Sequence, residues 1–182
     1  MPGATFLCGD RVALRTIEDE DIELLQRARN DPALRRGLPF RYPQNRASVE
    51  TFIEETIADD DNDRLSLLIC VDGEPVGSVS LFNILPPASG TLAYWLLPDY
   101  RGDGYATESA GLIVDYAFKT LGLHRILAWT IDYNEASQSL LRRLDFSHEG
   151  TYREHVFRNG DFHDTEHYGL LVSEWSGYDN ID

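Results

Sequence analysis

Gly102 and Gly104 stand two positions apart, between an apolar run (Tyr94, Trp95, Leu96, Leu97) and an amphipathic stretch that opens at Tyr105. Glycines leave backbone N–H groups uncovered by side chains, and a helix start adds unpaired N–H groups and the positive end of its dipole. The segment therefore reads as an anion site built from backbone, with phosphate as its usual guest. A dinucleotide fingerprint, G-x-G-x-x-G/A, fits poorly. Its third position is Thr107, and an acidic residue about 20 positions on is required. Residues 124–131 hold no carboxylate.

The alternative pattern is R-x-x-G-x-A, met by Arg101, Gly104 and Ala106. A second segment follows after one helix and one strand: Asn134, Ser137, then Leu144, Asp145 and Phe146. It has the form of an N-x-x-S helix closed by a leucine–glycine–phenylalanine turn, with Asp145 in the glycine place. Aspartate tolerates the left-handed conformation, so the turn survives. Together the two motifs resemble the GNAT superfamily of acyl-CoA-dependent N-acyltransferases, most closely its RimJ/RimL-like branch. The resemblance spans residues 11–171. It implies an acetyl-CoA-dependent N-acetyltransferase acting by direct attack of an amine on the thioester. A non-catalytic acyl-CoA-binding or sensing domain is the competing reading.

Acyl transfer needs an anchored thioester, donors for the developing oxyanion, a deprotonated amine and a neutralised thiolate. For anchoring, the resemblance points to Arg101, Gly102, Asp103, Gly104, Tyr105, Ala106 and Thr107 around the pyrophosphate. Arg101 either adds charge there or pairs with a nearby acid. The pantetheine arm is expected to bond the strand edge at Trp95, Leu96 and Leu97, with a backbone N–H near Leu96 or Leu97 polarising the carbonyl. Asn134 is an N-cap, a cofactor contact, or both. Arg142 and Arg143 either reach the ribose phosphate or form a solvated helix face.

Proton handling departs from the family. The tyrosine found seven residues after the asparagine is Leu141 here. Ser137 is then the group expected to hydrogen-bond the departing sulfur, against the plain reading of a first-turn serine satisfying backbone. The glutamate of the Glu-Ile-Gly-Tyr pattern is replaced, since the stretch reads Thr91, Leu92, Ala93, Tyr94. The glutamate expected nineteen residues past the serine is Val156. Glu154 is two residues earlier and on the same side of a regular strand, so it is the candidate base. His155, His163, Asp164 and His167 are close in sequence, and water is a further route for the proton. The spacings H-x7-H and H-x3-H also invite a metal reading, but His163 and His167 stand four apart on a predicted strand with Glu166 between them and outside that face, and no metal is expected.

The acceptor is expected to be a small molecule, with a cationic amine favoured by the acidic chain, or a protein N-terminus. The loop 38–45 should wall its site, with Phe40 and Tyr42 as contacts or as ordinary loop packing. A net charge of -15 argues against a nucleic-acid partner. No apolar run approaches the roughly 20 residues of a membrane helix, and no basic-then-apolar leader is visible, so a cytoplasmic location is expected. Cys8 and Cys70 read as two buried free thiols.

These residues need a scaffold. Length and composition suit a single domain over residues 1–182. Hydrophobic patterning predicts strands at 11–15, 65–71, 76–84, 91–97, 124–131, 146–157 and 162–172. Helices are predicted at 17–30, 47–58, 105–121 and 135–143, with an acidic linker at 59–63. Asp72 with Gly73, and Asn159 with Gly160, mark hairpins. The result is an α/β (α+β) chain. Within the resemblance it becomes a mixed, mostly antiparallel sheet of about seven strands, splayed between the strand ending at Leu97 and that at 124–131. Exposed strand edges leave a homodimer open.

Overall fold

The computed structural model describes residues 3–57 and 63–180; the predicted acidic linker falls mainly outside them. Eight strands form one sheet: β1 (Thr5–Cys8), β2 (Ala13–Arg15), β3 (Arg64–Val71), β4 (Glu74–Leu85), β5 (Ser89–Leu96), β6 (Arg125–Ile131), β7 (Ser147–Arg158) and β8 (Asp161–Leu171). Their spatial order is β1-β2-β3-β4-β5-β6-β8-β7. β1 is the strand beyond those expected; it pairs antiparallel with β2. The predicted hairpins are present, with left-handed backbone at Asp72, Gly73, Asn159 and Gly160.

All neighbours run antiparallel except β5 and β6. A parallel pair needs a crossover, which α4 (Tyr105–Lys119) supplies. The β5–β6 pairing covers only Ser89, Gly90 and Thr91 against Arg125, Ile126 and Leu127. Beyond Thr91 the strands part, leaving an edge of β5 without a strand partner inside the sheet.

Two cores flank the sheet. Leu81, Ile113, Val114, Ile126, Leu141 and Leu170 belong to the core on the side of α4 and α5 (Glu135–Arg143). On the opposite face Leu68 and Cys70 pack with Ile22 and Leu25 of α1 (Ile22–Asn30) and Val49 of α3 (Arg46–Phe52). A short α2 (Pro32–Arg35) lies between those helices, and a π-helical turn, Ile53–Ile57, continues α3. Arg15 and Asp21 form a buried bidentate pair at the base of this layer. Cys8 is exposed and Cys70 buried, and both are free. Cys8 thus corrects the expectation of two buried thiols, because it lies on the short edge strand β1.

Candidate active site: a cleft between β5 and β6

A cleft of about 1260 Å³ opens where β5 leaves β6. At one end sits the glycine turn. Gly102 (φ +97°) and Gly104 (φ +84°) adopt left-handed backbone, and Gly104 caps α4. A Cβ on Gly104 would also meet the Arg11 guanidinium at 3.2 Å. Gly102, Gly104, Ala106 and Thr107 line the cleft, while Asp103 and Tyr105 do not. Arg101 lines it too, its Nε donates to the Leu96 carbonyl at 3.2 Å, and among the described residues it pairs with no acid.

A brace invisible in the motif holds this turn. Glu108 is buried in the first turn of α4. Its carboxylate accepts from Arg11 N (2.8 Å), Arg11 Nε (3.0 Å) and Val12 N (3.2 Å). Arg11 Nη1 in turn donates to the Asp103 carbonyl at 2.7 Å. The link joins residues 97 apart in sequence, and an acid in a first helical turn otherwise reads as a dipole partner.

The strand edge resolves the expected backbone contacts. Leu97 N–H donates to the Val76 carbonyl at 2.8 Å, so it is not free for a ligand. Alternation along an antiparallel ladder then turns the backbone of Trp95 toward β4 and that of Leu96 and Tyr94 toward the split. Leu96, not Leu97, presents the open N–H. Trp95 and Leu96 side chains line the cleft.

At the middle, α5 meets β5. Asn134 caps α5, its Oδ1 accepting from Ser137 N at 3.3 Å, and it lines the cleft. The Ser137 hydroxyl lies 2.6 Å from the Tyr94 hydroxyl. Burial pushes the Tyr94 phenol up to about 12, so it stays protonated through the neutral range. Asp145 takes the left-handed conformation (φ +63°) expected of the closing turn. Arg143 lines the cleft, whereas Arg142 donates to Gln138 along the helix.

Glu154 is not brought to this centre. Its backbone is left-handed (φ +50°) within an irregular stretch of β7, and its N–H donates to the Asp164 carboxylate. The irregularity breaks the alternation that would have placed it with Val156: Val156 is buried and Glu154 exposed. His155 and His167 both contact the Thr165 hydroxyl, at 2.8 and 2.9 Å. Of the titratable residues expected near the proton path, His163 alone lines the cleft, with Nδ1 3.5 Å from Asp132 Oδ1. Phe40 lines the cleft as expected, but Tyr42 is 77% exposed and outside it. Tyr133 donates to the Arg36 carbonyl at 2.6 Å, tying the segment after α2 to the turn before α5.

A split sheet beside a glycine-capped crossover helix defines an acyl-CoA N-acyltransferase. The chain belongs to the family described as Acetyltransferase (GNAT) domain, whose model matches residues 11–147. It is similar to a putative ribosomal N-acetyltransferase of Bacillus subtilis (28% identical, covering 94% of this chain and 98% of the relative). A spermidine N(1)-acetyltransferase of Escherichia coli is 30% identical, over 83% of this chain and 81% of that one. A solved ribosomal L7/L12 alpha-N-protein acetyltransferase in complex with coenzyme A shares the fold at TM-score 0.85 and 21% identity, covering 94% of this chain and 99% of that one. The chain is an acetyl-CoA-dependent N-acetyltransferase that acetylates a primary amine. Among the described residues, no helix is long and apolar enough to cross a membrane.

Proposed function

We propose that the chain acetylates an α-amine, such as a peptide or protein N-terminus, with Ser137 and Tyr94 acting on the departing sulfur. The 2.6 Å contact between their hydroxyls carries the reading. The glycine turn and the first N–H groups of α4 hold the pyrophosphate, and the pantetheine arm runs along the open edge of β5 at Tyr94 and Leu96. Arg101 stabilises the turn through Leu96 and faces the same phosphates.

Leu96 N–H donates to the thioester oxygen as negative charge develops there. The amine nitrogen attacks the carbonyl carbon, its proton passes to His163 directly or through water, and the carbon–sulfur bond breaks. With Tyr94 protonated and donating to Ser137 Oγ, the Ser137 proton is free to point at the sulfur. An α-amine, with a pKa of about 8, needs less help to lose its proton than a lysine near 10.4. That suits a cleft whose candidate carboxylate, Glu154, lies elsewhere.

Release of free thiol from acetyl-CoA, followed with an alanine-initiated peptide and with the same peptide N-terminally blocked, tests the assignment. Release with the free peptide only is expected. Equal release from both would exclude α-amine transfer.

A further inference from the structure

The register of the sheet places a second constellation on the face opposite α4. Paired residues share a face, so Arg64 and Ser66 of β3, Ser80 and Phe82 of β4, and Ala93 and Trp95 of β5 point together. One end of this face is covered by α1 and α3. The other end opens into the cleft, on the side away from the glycine turn. Arg29 of α1 reaches the same space.

Arg29 and Arg64 are half-buried, and among the described residues neither forms an ion pair, the nearest charge acting on Arg64 being that of its exposed neighbour Asp63. The Arg29 guanidinium lies 3.6 Å from the Phe52 ring centre and 5.1 Å from that of Phe40. Arg64 lies 5.2 Å from the Phe82 ring. Among the described residues, no carboxylate is within 4.0 Å of either group, and neither makes a hydrogen bond. Each guanidinium carries five donors in a fixed plane. The rings pack against the two guanidinium groups, and no described residue takes up those donors.

Such a pair is costly in isolation. Burial, with the Arg64 charge added, holds Arg29 down to about 10, and burial lowers Arg64 as well, against the opposing pull of the Asp63 charge. The chain has 31 acidic residues against 16 basic ones, so two arginines without an ion pair among the described residues of one cleft run against its overall balance. An oxyanion between them would satisfy the donors and offset the desolvation, and guanidinium geometry matches carboxylate and phosphate. A polyamine would meet like charge at the same place.

We propose that the acetyl acceptor carries an oxyanion, a carboxylate or a phosphate, on the same molecule as its amine, and that Arg29 and Arg64 bind it on the α1–α3 face of the cleft. The inference rests on the amine-acetylation reading above and narrows its substrate class to anionic amines, reversing the expectation of a cationic one.

Matched acceptors test it: Ala-Glu-Ala amide against Ala-Gln-Ala amide, Ala-Gln-Ala free acid against its amide, and phosphoethanolamine against ethanolamine, with spermidine beside them. The pair that discriminates identifies the source of the oxyanion. Expected is a kcat/KM at least tenfold higher for the anionic member of a pair, falling to within about twofold in Arg29→Met and in Arg64→Met. The same pairs titrated calorimetrically into the CoA-loaded protein read the anion site without turnover, and thermal melts report whether each variant is folded. Anion-dependent binding without turnover would overturn the catalytic reading alone. Equal affinity and equal rate within every pair, a preference for spermidine, or discrimination that survives in both folded variants would overturn the anion site.

Discussion

The hydroxyls of Tyr94 and Ser137 stand 2.6 Å apart, joining strand β5 to helix α5 across the mouth of the split. They lie 43 positions apart in sequence, and each is half of one hydrogen-bonded unit. Ser137→Ala and Tyr94→Phe should each lower kcat by about 100-fold, the lower end of the range for positioned proton donors. With both acting on one sulfur, as proposed, the double variant should be no slower than the slower single one. Additive losses in a double-mutant cycle would separate the two roles.

Gly104 combines a φ of +84° with a neighbour 3.2 Å from where a Cβ would sit. Gly104→Val strains the turn and displaces the Arg11 guanidinium. Affinity for acetyl-CoA, read by calorimetry, should fall at least ~100-fold, equivalent to about 2.7 kcal/mol. Unchanged affinity would remove the pyrophosphate from this turn.

Glu108→Gln keeps the shape of the brace and removes its charge. Hydrogen bonds to charged groups are worth about 1.5–3 kcal/mol, so a stability loss near 2 kcal/mol is expected from urea midpoints. Arg11 also fixes the Asp103 carbonyl, so the affinity for acetyl-CoA should weaken alongside. A loss of stability with binding intact would confine the brace to a structural role.

His167 packs 3.8 Å from the Tyr152 ring and near His155. Burial first, then the charges of His155 and His148 against the pull of Glu166, hold its imidazole below the ordinary 6.5. Below pH 6.5 the unfolded chain therefore takes up a proton that the folded one refuses. Its contribution to stability is present above that pH and is lost as pH falls toward the folded value. Melting temperature should drop between pH 7 and pH 5, and His167→Gln should flatten that drop. A steeper pH dependence in the variant would contradict the sign.

Local chemistry made much of this protein legible in its sequence. Glycines two apart before an amphipathic run dictate a left-handed turn and a helix start. Asn134 three residues before Ser137 dictates a cap, and Asn159 with Gly160 a hairpin. Each depends on neighbours within a few bonds. The α/β alternation around the crossover followed from the same local patterns, while the acyl-CoA donor came from the resemblance that the two motifs carry.

Tertiary structure decided what local pattern leaves open. Ladder alternation gives the free N–H to Leu96 rather than Leu97. A left-handed residue in β7 removes Glu154 from the face that strand periodicity assigns it. Arg11 with Glu108, Tyr94 with Ser137, and Arg29 beside Arg64 bring together side chains from distant parts of the chain. Spacing encodes direction along one element, but the meeting of two elements depends on how both pack against a shared core. The glycine turn is set by residues within a few bonds of one another, while the face proposed for the acceptor exists only once α1 and α3 have packed on the sheet.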